Sequence, residues 1–171
     1  IHVPYGEEDS YREKILRMPQ GCGYVCYAPP EYAPDVGPLP AEKNGYVTFA
    51  VFQNPAKINE YILGIWTRIL TRVPGSCLLL RYGGMDASYN VSRVKSAVQK
   101  HGVDVQRVYC CGQLPHEELM AGYNHVDITL DTYSCSGGLT TCESLWMGVP
   151  VITLPGDTFA SRHSASHLTR V

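Results

Sequence analysis

The sequence predicts an α/β domain with a Rossmann-like parallel sheet, preceded by a proline-rich N-terminal arm. Three observations carry that expectation. From Gly45 onward, short β-rich runs alternate with longer stretches of helical period, the sequence form of repeated βα units. Most of those β runs are apolar on both faces, as the strands of a covered parallel sheet must be. Before Gly45 the texture differs, because Pro29-Pro30, Pro34, Pro38 and Pro40 mark an extended segment with little periodicity. Residues 1–45 are therefore expected to form a linker or wrapping arm, and residues 46–171 a folded lobe. With 44% hydrophobic and 18% charged residues, 171 residues can bury one substantial core.

In the arm, only Glu8 to Met18 offers a short helix, with Ile15, Leu16 and Met18 as its apolar contribution. Five strands follow: Tyr46 to Phe52, Cys77 to Tyr82, Arg107 to Cys111, Asp127 to Leu130 and Val149 to Leu154. The clearest helix runs from about Ile58 to Val73, where Ile58, Ile62, Ile65, Ile69 and Val73 recur at helical spacing and Pro74-Gly75 ends it. That face is expected against the sheet. A second helix spans Ala87 to Lys100, and a third starts at Pro115, whose missing N–H suits a first helical turn, with Glu117 and Glu118 beside the positive helix end. A fourth follows Gly137-Gly138 and a fifth follows Gly156.

Fourteen Lys and Arg against sixteen Asp and Glu give a formal charge of -2. That balance lacks the electrostatic footprint of a nucleic-acid or anionic-membrane binder, so any phosphate must be held locally. The apolar runs are too short to cross a bilayer, and the N-terminus has no basic start followed by an apolar stretch. A cytoplasmic protein without membrane partners is the expectation. The seven cysteines (Cys22, Cys26, Cys77, Cys110, Cys111, Cys135 and Cys142) include no CxxC pair and no histidine spacing suited to zinc. Reduced thiols and no metal are expected, and the Asn90-Val91-Ser92 sequon is set aside with the compartment. The chain starts at Ile1 rather than Met and ends inside what still reads as a helix, so a piece of a longer protein is expected.

Open parallel sheets bind ligands where strands turn into helices at their carboxyl ends. The turn Asp131-Thr132-Tyr133-Ser134-Cys135-Ser136-Gly137-Gly138-Leu139-Thr140-Thr141-Cys142-Glu143 is rich in glycine and hydroxyls and opens a helix. Glycines let backbone approach a phosphate closely, helix N–H groups point at it, and Thr140 and Thr141 add donors. Glu143 is placed to accept from ribose hydroxyls. A plain tight loop with Thr140 as a helix cap is the competing reading, and the preceding strand favours phosphate. A second turn, Gln53-Asn54-Pro55-Ala56-Lys57, presents a lysine where the long helix is expected to start. A cation there opposes the helix dipole, costing a few tenths of a kcal/mol, roughly, unless an anion lies near. Lys57 is the phosphate-binding candidate, against the ordinary reading of a solvated lysine. The third turn, with Leu114, Pro115 and His116, brings groups to the same sheet edge, where a nucleobase could lie. Neither GxGxxG nor GxxxxGK[ST] occurs, which removes the main support for oxidoreductase and P-loop readings. No histidine is spaced with an acid and a nucleophile in a recognisable way, so the general base is expected to lie off this chain.

The runs TFAVFQNPAKIN, WTRILTRVPGSCLLLRY and DITLDTYSCSGGLTTCESLWMGVPVITLPGDTFASRHSASHL, in this order and spacing, resemble the C-terminal catalytic half of the O-GlcNAc transferase family, including its tetratricopeptide-bearing bacterial members and the plant SPINDLY relatives. The long last block is the specific part. LRMP followed by CYAPP is similar to the segment joining the two catalytic lobes in bacterial members. The resemblance implies the C-terminal lobe of a GT-B glycosyltransferase that binds a UDP-sugar, UDP-GlcNAc first, and needs no metal. UDP-glucose and GDP-fucose serve relatives on a similar scaffold. By position it implies that Lys57 neutralises the diphosphate with Asn54 beside it, that Gly138, Leu139 and Thr140 hold phosphate, that Glu143 binds the ribose, and that Leu114 and His116 face the base. It also implies a missing N-terminal catalytic lobe, tetratricopeptide repeats and a protein acceptor modified on Ser or Thr, so that this piece alone is expected to be inactive. The chain departs from the pattern at Gly138, where animal members carry histidine, at Leu139, where threonine is usual, and at Leu119 and Gly122, which replace a histidine and an arginine near the base. The alternative from another class is a non-catalytic interaction domain on a decayed glycosyltransferase scaffold. A flavodoxin-like or epimerase-type domain is disfavoured by the order of turns.

Overall fold

The computed structural model describes residues 2–19 and 25–171. Five strands, β1 (Thr48–Val51), β2 (Cys77–Arg81), β3 (Val108–Cys111), β4 (Ile128–Leu130) and β5 (Val151–Ile152), pair in one sheet, all parallel, in the order β3-β2-β1-β4-β5. The helices are α1 (Pro40–Asn44), α2 (Glu60–Arg72), α3 (Ser88–Lys100), α4 (His116–Gly122), α5 (Leu139–Trp146) and α6 (His163–Leu168). The chain lays β2 and β3 on one side of β1, then returns to lay β4 and β5 on the other. The connections leaving β1 and β4 therefore diverge, and the crevice between them lies at the carboxyl ends of two paired strands.

β1 is buried along its whole length and its period of two divides the core. Phe49 and Val51 join Leu78 and Leu80 of β2 under Ile62, Leu63, Trp66 and Leu70 of α2 and Val94 and Val98 of α3. Ala50 and Phe52 face the other way, to Met120, Tyr123, Val126, Met147 and Val149. The α2 stripe differs from the expected one. Ile62, Leu63, Trp66, Thr67 and Leu70 are buried, while Ile65, Ile69 and Val73 are only partly buried at its flank. The bulk of Trp66 centres the face on its own row. α2 also begins later than expected, at Glu60, because the side chain of Asn59 accepts a hydrogen bond from the Ile62 N–H at 3.0 Å and caps it.

β5 has two residues rather than six. Its neighbour β4 ends at Leu130, paired with Ile152, and the chain turns away at Asp131, so the ladder has nothing further to pair with. After Gly156 the expected helix arrives in two parts, a 3-10 turn at Phe159–Ser161 and then α6. In the arm, the helix expected over Glu8 to Met18 is absent, and only a 3-10 turn at Glu8–Ser10 forms. Ile15 and Leu16 are adjacent and cannot share a helical face, and Leu16 is 82% exposed. The Arg17 guanidinium instead donates to the carbonyls of Val3 (2.9 Å) and Pro4 (3.3 Å), pairs with Glu8 and lies over the Tyr5 ring.

The later part of the arm is tied to the lobe by hydrogen bonds. Asn124 accepts from the Gly37 N–H at 2.8 Å and donates to the Asp35 carbonyl at 3.0 Å. Buried Asp127 accepts from the N–H groups of Ala41 (2.8 Å) and Thr48 (2.7 Å), joining α1 to the start of β1. α1 itself was not anticipated, although Pro40 in its first turn and Gly45 at φ +75°, whose N–H closes on Ala41 O, are its sequence signals. Cys26, Cys77, Cys110, Cys111, Cys135 and Cys142 are free thiols, and Cys22 lies outside the described residues.

Candidate functional site

The turns leaving β1 and β4 meet at the switch in strand order. Leaving β1, Asn54 caps the 3-10 turn Pro55–Lys57 by accepting from the Ala56 N–H at 2.9 Å. Lys57 thus ends a separate short turn and does not open α2, so the expected opposition to that helix dipole does not arise. Its ammonium instead crosses to the other turn, donating to Gln53 Oε1 at 3.0 Å and to the Ser136 carbonyl at 3.3 Å. Gln53, which is buried, donates from Nε2 to Thr140 Oγ1 at 2.8 Å. One glutamine therefore joins the lysine to the first turn of α5.

Leaving β4, Asp131 fixes the glycine turn. Its Oδ1 accepts from the N–H groups of Thr132 (2.8 Å) and Gly137 (2.7 Å), and its Oδ2 from the Thr153 hydroxyl (2.7 Å). Ser136 donates to the Ala160 carbonyl and accepts from the His163 N–H, and Ser164 donates to the Gly137 carbonyl, so the turn is also tied to α6. A Cβ on Gly137 would lie 2.5 Å from Gln53 Nε2 and 2.6 Å from Thr141 Oγ1, so this position admits only glycine without displacement. Gly138, by contrast, has open space around it. It is the N-cap of α5, and no side chain caps that helix. The backbone donors of its first turn, those of Leu139 and Thr140, belong to a helix end that attracts anions. The Lys57 charge is felt nearby, since the His163 imidazole is held below its ordinary value by burial first and by Lys57 second, with Asp131 opposing.

Two clefts flank this junction. One, of about 200 Å³, is lined by Phe52, Arg81, Tyr82, Gly83, Gln113, Leu114, His116, Leu119 and Thr140. The other, of about 270 Å³, is lined by Asn54, Ala56, Lys57, Asn59, Tyr133, Ser134 and Cys135. Thr140 belongs to the first, Lys57 to the second, and Gln53 bonds both.

The structure thus brings Asn54, Lys57, Gly138, Leu139 and Thr140 to one junction, and Leu114 and His116 to the adjoining cleft. Leu139 is 61% exposed and brings only backbone to the helix end. Glu143 is placed differently from the others. It is 1% exposed, behind the cleft wall, with Oε1 bonded to His116 Nε2 at 2.7 Å and Oε2 accepting from the Tyr123 hydroxyl at 3.4 Å. Burial, together with the Glu143 charge, raises the Tyr123 phenol well above its ordinary value. This acid–histidine pair spans 27 residues and so left no local spacing signal. Gln53 and Ser136 were missed as site-building residues for the same reason, since their roles are contacts between separate turns, and Asp131 because its hold on the Gly137 N–H and the Thr153 hydroxyl exists only in the folded turn. Among the described residues no cluster of three or more His, Cys, Asp or Glu side chains suited to a metal ion occurs, and no helix is long and apolar enough to cross a membrane.

Known proteins match this chain in sequence and fold. The family model for glycosyl transferase family 41 matches residues 39–171. The "Probable UDP-N-acetylglucosamine--peptide N-acetylglucosaminyltransferase SPINDLY" of Petunia hybrida is 37% identical over 170 residues, 98% of this chain and 18% of that protein. Its namesake in Arabidopsis thaliana is 38% identical over 163 residues, 93% of this chain and 17% of that protein. Among solved structures, a mutant of the Thermobaculum terrenum O-GlcNAc transferase superposes with a TM-score of 0.88 at 34% identity, covering 99% of this chain and 31% of that one. The chain spans about a fifth of the length of these plant relatives. The parallel sheet is the C-terminal, Rossmann-like lobe of a GT-B fold. With 133 consecutive residues matched by the family model, the chain belongs to glycosyl transferase family 41.

Proposed function

We propose that this chain is the donor-binding lobe of a glycosyltransferase that moves a sugar, GlcNAc first, from a UDP-sugar to Ser or Thr of a protein. The observation that carries the reading is that Gln53 joins the Lys57 ammonium to Thr140 in the first turn of α5, a helix start without a side-chain cap, between two clefts. A nucleoside diphosphate sugar has the same three parts in the same order. The base and ribose lie in the cleft of Leu114 and His116, the diphosphate spans Gly138, Leu139 and Thr140, and the sugar lies toward Lys57, Asn54 and Cys135. Glu143 serves the ribose side from behind His116. As the sugar departs, negative charge grows on the diphosphate, and a lysine with a helix N-terminus already aimed there stabilises it, which makes Lys57 the catalytic residue of this lobe. The general base, the acceptor site, an N-terminal catalytic lobe and tetratricopeptide repeats lie outside this chain on this reading. Residues 1–45 act as the joining arm and residues 46–171 as the lobe. The free cysteines suit a reducing cytoplasm.

Calorimetric titration with UDP, GDP and UMP tests the reading. UDP is expected to bind more tightly than either. Lys57→Ala removes one charge-assisted interaction, worth roughly 1.5–3 kcal/mol, and should weaken UDP about ten- to a hundredfold. Failure of the wild-type chain to bind any of them would contradict the donor-lobe reading and favour an interaction domain on the same scaffold.

A further inference from the structure

The arm contributes a side chain to this site. Tyr32 lies in the proline-rich segment, and its hydroxyl is 2.7 Å from His116 Nδ1, with the two rings edge to face at 82°. The other ring nitrogen, Nε2, is 2.7 Å from Glu143 Oε1. A carboxylate only accepts, so Nε2 carries the proton, and Nδ1 meets a hydroxyl that can either donate or accept. The imidazole is therefore gripped at both nitrogens, by a buried acid from the lobe and a phenol from the arm. His116 lines the cleft, whereas Glu143 is buried and Tyr32 is 47% exposed.

We infer that Tyr32 is a positioning residue for the nucleotide cleft, holding the His116 ring in the orientation it presents to the base and ribose. The inference rests on the reading of that cleft as a nucleotide site. A histidine at the first position of a seven-residue helix, 41% exposed in its side chain, has rotamers open to solvent if held only at one end. The second hydrogen bond removes them before the ligand arrives, so binding does not have to order the ring. The arm is thereby a part of the donor site as well as a connection. Its nearby ties at Gly37 and Asp35 to Asn124 fix the segment from which Tyr32 projects.

Tyr32→Phe isolates the claim, because it keeps the ring against His116 and deletes only the hydroxyl. Three readouts decide it on the same samples: melting temperature, the side-chain ¹⁵N resonances of His116, and the UDP dissociation constant. The expected result is an unchanged melting temperature, a displaced Nδ1 resonance with Nε2 little altered, and UDP affinity lower by about three- to tenfold, the scale of ordering one side chain on binding. In the complete enzyme the same variant should raise KM for the donor and leave kcat within about twofold. An Nδ1 resonance that does not move, or UDP affinity equal to wild type, overturns the positioning role while leaving the nucleotide reading intact. A wild-type chain that does not bind UDP overturns the nucleotide reading, and the positioning role falls with it.

Discussion

Replacing Asp131 should separate two kinds of damage to the glycine turn. Asp131 is 7% exposed, and its carboxylate holds three donors, the N–H groups of Thr132 and Gly137 and the hydroxyl of Thr153. Asp131→Ala leaves both backbone donors buried without a partner, while the half-buried Thr153 hydroxyl can turn to solvent. Each buried orphan costs roughly 1–3 kcal/mol, partly offset because a buried charge is also removed, so the net loss is about 3 kcal/mol. For a domain of this length, 1 kcal/mol moves the melting temperature by about 2–4 °C, so Asp131→Ala should melt about 6–12 °C early. Asp131→Asn keeps Oδ1 as acceptor for both N–H groups and turns Nδ2 to the Thr153 oxygen. Only the charge assistance is lost, about 1 kcal/mol and about 2–4 °C. Thermal unfolding followed by circular dichroism at pH 7 measures both. Equal melting of the two variants, or an alanine variant within about 2 °C of wild type, would refute Asp131 as the clamp of this turn.

Other expectations follow from single contacts. Gly137→Ala forces Gln53 or Thr141 to move from a 2.5–2.6 Å approach. It should cost about 1–3 kcal/mol of stability and weaken UDP binding with it, because Gln53 holds Lys57; a denaturant midpoint and a UDP titration on the same sample check both. His2 packs against Phe159 and His163, and its pKa is lowered to about 4, by burial first and then by His163 and other positive charge. A histidine with a depressed folded value stabilises the fold above the unfolded value near 6.5 and loses that contribution as pH falls toward 4. His163 and His167 are lowered in the same direction. The melting temperature should therefore fall between pH 7 and 4.5, with a shallower slope in His2→Gln; an identical slope would contradict it.

The alternation of β runs and helical stretches was enough to read the parallel sheet, because β1 and β2 are apolar on both faces and covered on both sides. The two turns that hold Lys57 and Thr140 were legible for a related reason, since strand-to-helix turns carry ligands in such sheets. Ends of elements were less legible. Asn59 rather than the first apolar residue starts α2, and β5 stops where its neighbour does, which no residue of β5 itself encodes. The arm misled because Ile15, Leu16 and Met18 suggested a helix where Arg17 binds carbonyls instead. What the sequence could not express was connection across the fold. Gln53 to Thr140, His116 to Glu143 and Tyr32 to His116 are each far apart in the chain, and they turn isolated candidate residues into a single arrangement.

On the donor-lobe reading, the crevice between the β1 and β4 turns holds the diphosphate. Backbone amide ¹H–¹⁵N shifts during UDP titration test it most directly. The largest changes are expected at residues 53, 54, 56 and 57 and at 137–140, with smaller ones at Leu114 and His116. Changes confined to another surface, such as the cleft between Val36 and Gly148, or none at saturating UDP, would contradict it.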